Sequence, residues 1–332
     1  MDIMALVSEE DFLEYTSNYN YKTNFLLDSF FPSIKTEKLF IEMERIIENG
    51  DLPVVALAHA FDTEARIGDR TSLEKLKLEQ ILIKEKLNQS ERVRRYLDHG
   101  ANKDQLVDYI YDDAGNLISR VLARVELMRN QLISTGKVSI DENDFKLTLD
   151  YGYKDSHSEN FTGWEDPTHD IIADLNRIKA KAREEGKTIT KAITSSKILS
   201  YITANKAINE LFAKALQLPT EENIFRWIYA NFGIQFAVND EKYKVKANDN
   251  TLHRFFPENV ITFIAGDGTF GNTVYGFTPE EDAIPDATNS GYVTVTQWYT
   301  PDPVATWTKA TALVLPVMND IDRLFICKVN GA

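Results

Sequence analysis

Only one cysteine, Cys327, occurs in the 332 residues, so no internal disulfide can form. Its neighbours Leu324, Phe325 and Ile326 are apolar, which predicts a buried and inert thiol. No stretch approaches the roughly 20 apolar residues of a membrane helix. The start, Met1-Asp2-Ile3-Met4, lacks the basic residues and apolar centre of a secretion signal. Both absences predict a chain that folds in a reducing cytoplasm and has no membrane partner. Basic residues are in deficit: 37 Lys and Arg against 51 Asp and Glu give a formal charge of -14. On average such a surface repels duplex DNA, so sequence-specific DNA recognition is not expected.

Catalytic and metal-binding patterns are equally sparse. There is no Gly-x-Ser-x-Gly elbow, and Asp155-Ser156-His157 is no triad, because triad members meet through folding and not as sequence neighbours. The five histidines, His59, His99, His157, His169 and His253, lack the close helical spacing of a metal site. Asp141 and Asn143 begin like a calcium loop, but Phe145 stands where the third oxygen ligand belongs, and a hairpin tip is expected instead. Gly266-Asp267-Gly268-Thr269-Phe270-Gly271 has dinucleotide-loop spacing and follows a strand, which would suit an oxidoreductase using a nucleotide such as NAD. A phosphate loop needs a helix after it, however, and Asn272 to Pro279 reads as extended chain. A glycine-rich turn between strands accounts better for it, so no cofactor, no metal and no enzyme activity are expected.

What the chain does have is order along its length. From Asn18 to Lys35 it carries Tyr19, Tyr21, Phe25, Phe30, Phe31 and Pro32 without a helical or alternating period. Such a strip either lies across its own domain or docks on a neighbouring subunit. Extended runs follow at Lys38 to Ile46, Leu52 to Ala58 and Ser72 to Asn88. In the last, Leu76 and Leu78 alternate with charges while Ile81 and Ile83 continue on a shifted phase, as a bulge would cause; its Glu and Lys content makes helix the rival. The basic cluster Arg92-Val93-Arg94-Arg95 is either a solvated turn or a contact to an acidic patch on a neighbour.

Leu106, Ile110, Ala114, Leu117, Val121, Val125, Met128 and Leu132 mark one stripe of a long spine helix, at about 104–135, which Gly136 stops. Lys137 to Ile140 and Phe145 to Leu149 predict a hairpin. Asp166-Pro167 is expected to open a second helix that Gly186 ends. Thr188 to Ile193 predicts a strand, Ser195 or Ser196 and then Thr220 cap further helices, and Gly233 closes the last before a strand at Ile234 to Val238. Strands return at Val260 to Ala265, Tyr292 to Tyr299, Val304 to Leu315 and Arg323 to Val329, punctuated by Pro301, Pro303 and Pro316. An α/β segment is thus inserted into a domain made of discontinuous pieces.

Four segments carry a family resemblance. They are Phe30-Phe31 followed by Thr36-Glu37-Lys38; Gly163-Trp164 with Asp166-Pro167-Thr168 and Asp170-Ile171; Phe256-Pro257-Glu258-Asn259 leading to Tyr275-Gly276; and Trp298, Asp302-Pro303 and Pro316-Val317-Met318. In this order and spacing the chain resembles the lambda-type major capsid proteins of tailed phages over nearly its whole length. It departs from lambda's own protein in the loop before the spine. The resemblance implies an α+β, Hong Kong 97-like capsid fold: an amino-terminal arm at 1–35, an extended loop with flanking strands at 36–100, a peripheral domain at 101–163 and 244–332, and an axial domain at 164–243. It implies pentamers and hexamers that close into an icosahedral shell around double-stranded DNA, contacted non-specifically. Scaffolding, portal and decoration proteins become the expected partners, and the virion, after assembly in the host cytoplasm, the expected location. A cellular nanocompartment of the same fold is the alternative. Phe25, Phe30 and Phe31 are then expected as arm anchors on neighbouring subunits, and Arg92, Arg94 and Arg95 as charged contacts of the loop.

Overall fold

The computed structural model describes residues 25–46, 73–89, 103–142, 144–215, 218–246, 249–283, 292–302 and 304–330. A 3-10 turn at Leu26–Ser29 precedes β1 (Ser33–Lys35), β2 (Phe40–Ile46), β3 (Leu73–Glu79) and β4 (Ile81–Gln89). Strand therefore prevails over helix in the described part of this run, Leu73 to Asn88. The shifted phase is a break at Gln80 and not a bulge, and it leaves β3 to pair with β2 while β4 pairs elsewhere. α1 (Lys103–Thr135) is a single helix of 33 residues, about 50 Å long at 1.5 Å per residue. The expected stripe is buried from Ala114 to Leu132. Gly136 ends the helix at φ +69, its amide 2.8 Å from the Leu132 carbonyl, and a Cβ there would lie 2.3 Å from that of Tyr153. β5 (Lys137–Glu142) and β6 (Phe145–Asp150) form the antiparallel hairpin.

Next come β7 (Glu159–Phe161), α2 (Ile171–Glu184), β8 (Ile189–Thr194), α3 (Ser196–Ala204), α4 (Lys206–Lys214), α5 (Glu221–Phe232) and β9 (Gln235–Val238). Ser195 caps α3 by accepting from the Ile198 amide, Thr220 caps α5 through the Asn223 amide, and Gly233 closes α5 at φ 70. α2 starts later than Asp166-Pro167 suggests. The Asp166 carboxylate instead accepts from the amide and hydroxyl of Thr168, at 2.8 and 2.7 Å, and holds a turn. Asp170 does the capping, accepting from the Ala173 amide at 2.9 Å. The chain ends with β10 (Lys242–Tyr243), β11 (His253–Arg254), β12 (Val260–Ala265), β13 (Gly271–Gly276), α6 (Pro279–Ala283), β14 (Thr294–Pro301), β15 (Val304–Met318) and β16 (Leu324–Val329). Pro316 does not end β15: pairing with β4 stops at Val314, so the proline's missing N–H removes no bond there.

These elements form two compact units. The first draws on residues 1–41, 79–129 and 269–318. Its sheet runs β1-β13-β15-β14, with β4 on the other side of β15. β15 is long enough to pair with β14 through Thr311, with β4 through Val314 and with β13 to Met318. The second unit draws on 42–78, 130–268 and 319–332, and its mixed sheet runs β7-β16-β12-β8-β9. All six residues of the central strand β12, Val260 to Ala265, are buried, as the nearly continuous apolar run requires, and its one polar side chain, Thr262, donates to the Ile133 carbonyl at 2.9 Å. Leu175, Ile178, Ile202, Ile228 and Phe232 from the helices join Phe236, Phe263 and Phe325 from the sheet in one core. Each fully buried side chain of this size contributes roughly 1.5–3 kcal/mol. Cys327 lies in that core, and burial pushes its thiol pKa up.

Candidate assembly surfaces

The base of the arm is built on Arg129, 3% exposed, on the spine helix α1. Its guanidinium donates to Thr273 Oγ1 at 2.9 Å, to Glu126 Oε2 at 3.1 Å, and to Asp28 in the 3-10 turn. Asp28 in turn accepts from the Phe25 amide at 3.2 Å, and Thr273 Oγ1 donates to the Phe31 carbonyl at 3.2 Å. One buried cation thus ties together turn, helix and sheet. Phe30 stacks on Phe270 with ring centroids 4.4 Å apart, while Phe31 meets the same ring edge-on at 6.1 Å. β1 then pairs in parallel with β13. Phe31 is fully buried in its own chain. It has no surface left for a neighbour, which corrects the expectation for that residue; the aromatic strip buries part of itself because Phe270 supplies the matching ring. Phe25 and Phe30 are half-buried. Arg92, Arg94 and Arg95 lie outside the described residues, as does the chain before Phe25.

An apolar patch surrounds the roots of arm and flap. Ile34 on β1, Leu39, Phe40 on β2 and Leu82 on β4 are 43%, 44%, 40% and 43% exposed. The Gln80 amide donates to the Leu39 carbonyl at 3.1 Å and its side-chain amide to the Lys38 carbonyl at 3.1 Å, which brings the two roots together. Clustered apolar side chains on a surface mark places where another molecule can bind. The same unit carries stacked indoles, Trp298 and Trp307, 6.1 Å apart, with the ammonium of Lys86 4.5 Å from the Trp307 ring centre.

In the glycine loop the amides of Gly266, Phe270 and Gly271 donate to the carbonyls of Thr188 and Phe30. The loop's own carbonyls are turned toward hydrogen-bond donors: Thr190 Oγ1 donates to Gly266, Lys191 to Gly268 at 3.0 Å, and Arg323 to Ala265 and to Asp267. A strand follows, not a helix, and a Cβ at Gly271 would lie 1.9 Å from the Val317 carbonyl, so this glycine serves the close pairing of β13 with β15. His157 of the Asp-Ser-His run is buried, donates through Nδ1 to the Leu324 carbonyl at 3.0 Å, and faces Glu185 at 2.8 Å through Nε2. Asp141 pairs with Lys146 across the β5–β6 hairpin at 2.9 Å. These groups hold structure together.

The family model for phage major capsid protein E matches residues 10–329. The chain belongs to this family. Solved structures agree in fold. A protein assigned as a prophage capsid protein of E. coli CFT073 aligns with a TM-score of 0.64 at 16% identity, covering 97% of this chain and 99% of its own. A phage-related protein from Bordetella bronchiseptica RB50 gives 0.61 at 12% identity, with 98% of each chain covered. The mature capsid subunit of bacteriophage PhiM1 gives 0.51 at 8% identity, over 95% and 90%. No curated protein sequence matches the chain. This capsid protein therefore has the Hong Kong 97-like α+β fold, is a structural shell subunit, and assembles with copies of itself in the virion. Among the described residues, no helix is long and apolar enough to cross a membrane. The Arg129 cluster had a faint trace in the sequence: Glu126 and Arg129 are an oppositely charged pair three residues apart, flanking the apolar stripe of α1.

Proposed function

We propose that the capsid protein forms pentamers and hexamers through its axial segment, 164–243, and that arms and flaps from neighbouring copies then close the icosahedral shell around double-stranded DNA. The supporting observation is the patch of Ile34, Leu39, Phe40 and Leu82, each at least 40% exposed at the roots of arm and flap. Contacts that are individually weak suffice, because each subunit touches several neighbours and their energies sum over the shell. Phe25 and Phe30, with Arg92, Arg94 and Arg95, remain the proposed contacts of arm and loop. The charge of -14 suits a lining that does not adhere to packaged DNA, which it touches non-specifically. Scaffolding, portal and decoration proteins complete the set of partners, with assembly in the host cytoplasm. Replacing Ile34, Leu39, Phe40 and Leu82 with serine should leave a folded subunit that sediments as small species. Shells at wild-type yield from that variant would remove the patch from the account.

A further inference from the structure

Two hairpins of the second unit carry opposite charge beside exposed apolar side chains. At β10–β11, Lys242, Lys244 and Lys246 are all exposed, with Val245 at 65% and Leu252 at 56%. Among the described residues, no carboxylate pairs with any of these three lysines, whereas Lys154, Arg177, Lys181, Lys197 and Arg254 of the same unit each have one. At β5–β6, Asp141, Glu142 and Asp144 are exposed around Phe145, itself 51% exposed. Lys146 supplies one opposing charge there, through its pair with Asp141.

From this complementarity we infer that the acidic tip of β5–β6, led by Phe145, docks on the lysine-rich β10–β11 hairpin of a second copy. The lysines pair with the carboxylates, and Val245 and Leu252 receive the ring. A phosphate backbone would be satisfied by lysines alone, whereas exposed Val245 and Leu252 call for an apolar counterpart, which Phe145 provides. The contact joins two different patches of one chain, and a head-to-tail contact of this kind generates a ring when its rotation closes. Both patches belong to the same compact unit, so one fixed relation between them sets the rotation from copy to copy. The inference rests on the proposed shell of rings and adds to the axial segment, 164–243, a second ring contact made by hairpins that lie largely outside it.

The test uses the full chain expressed alone, with particle yield read by sedimentation and microscopy. One variant carries Lys242→Glu, Lys244→Glu and Lys246→Glu. A second carries Asp141→Lys, Glu142→Lys, Asp144→Asn and Lys146→Glu, which keeps an opposite-charge pair within the hairpin and places at the left-handed residue, φ 60, a side chain that tolerates it. A third combines all seven. Circular dichroism melts establish that each folds. Each single-sided variant should lose about tenfold or more in yield, and the combined variant should recover it, with wild-type assembly weakened by salt. Unchanged yield from either single-sided variant overturns the inference, as does failure of the folded combined variant to recover. Normal shells that lose only co-purified nucleic acid would assign the lysines to phosphate instead and overturn it as well. A wild-type chain that forms no shells would count against the proposed function itself.

Discussion

Arg129 donates through Nη1 to Asp28, a residue 101 positions earlier in the chain, and thereby fastens the start of the described arm to the spine helix. The two partners are unequal: the Arg129 side chain is 3% exposed and that of Asp28 48%. Removing the arginine also takes the charged partner from Glu126, fully buried beside it. Removing the aspartate leaves Arg129 with Glu126, Thr273 and the Phe31 carbonyl.

Arg129→Ala should therefore cost about 3–5 kcal/mol, as loss of one partner from a buried ionic group does. Asp28→Asn should cost about 1 kcal/mol or less, because that carboxylate is half solvated. Denaturant unfolding of the purified chain reads both values, and hydrogen exchange at residues 25–35 should rise in the arginine variant. Equal costs for the two substitutions would contradict this hierarchy.

Phe31 behaves as a core residue. Phe31→Ala should cost about 3–5 kcal/mol through the cavity it leaves beside Phe270. Phe30→Ala, which removes a half-buried ring stacked on the same partner, should cost less. Truncation through Lys35 should for the same reason lower the unfolding midpoint, since it takes Leu27 and Phe31 out of the core and β1 off the sheet. A truncated chain as stable as the full one would show that this packing is dispensable.

How much of this the sequence reveals depends on the range of the interaction. The α1 stripe from Ala114 to Leu132 was legible because a helix repeats its buried side every three or four residues. Ser195, Thr220, Gly136 and Gly233 were legible because caps act within one turn. Asp166 and Asp170 are both plausible caps four residues apart, and only the hydrogen bonds of Thr168 and Ala173 distinguish them, which is why the start of α2 falls later than expected. Gln80 passed for a bulge because a break between two strands shifts the phase in the same way. The burial of Phe31 and the Arg129–Asp28 tie were illegible for a different reason. Their partners are brought together by the sheet β1-β13-β15-β14, and no local period records that. The same holds for the apolar patch, where Leu39 lies beside the start of β4 because its carbonyl accepts from the Gln80 amide.

Cys327 should be chemically silent in the native protein. Burial in the core of the second unit removes access and pushes the thiol pKa up, so little thiolate forms at neutral pH. A disulfide-exchange reagent should find no reactive thiol in the folded chain and one after unfolding in denaturant. Rapid stoichiometric reaction of the native chain would place Cys327 at an accessible surface and contradict the packing of β16.

The central claim is that the chain is built to be covered by copies of itself. Negative-stain microscopy of the purified full-length protein, concentrated in buffer of moderate salt, tests it most directly. Closed shells or ring-shaped oligomers of uniform diameter are the predicted result. A homogeneous monomer at high concentration, with Ile34, Leu39, Phe40 and Leu82 still open to solvent, would contradict it.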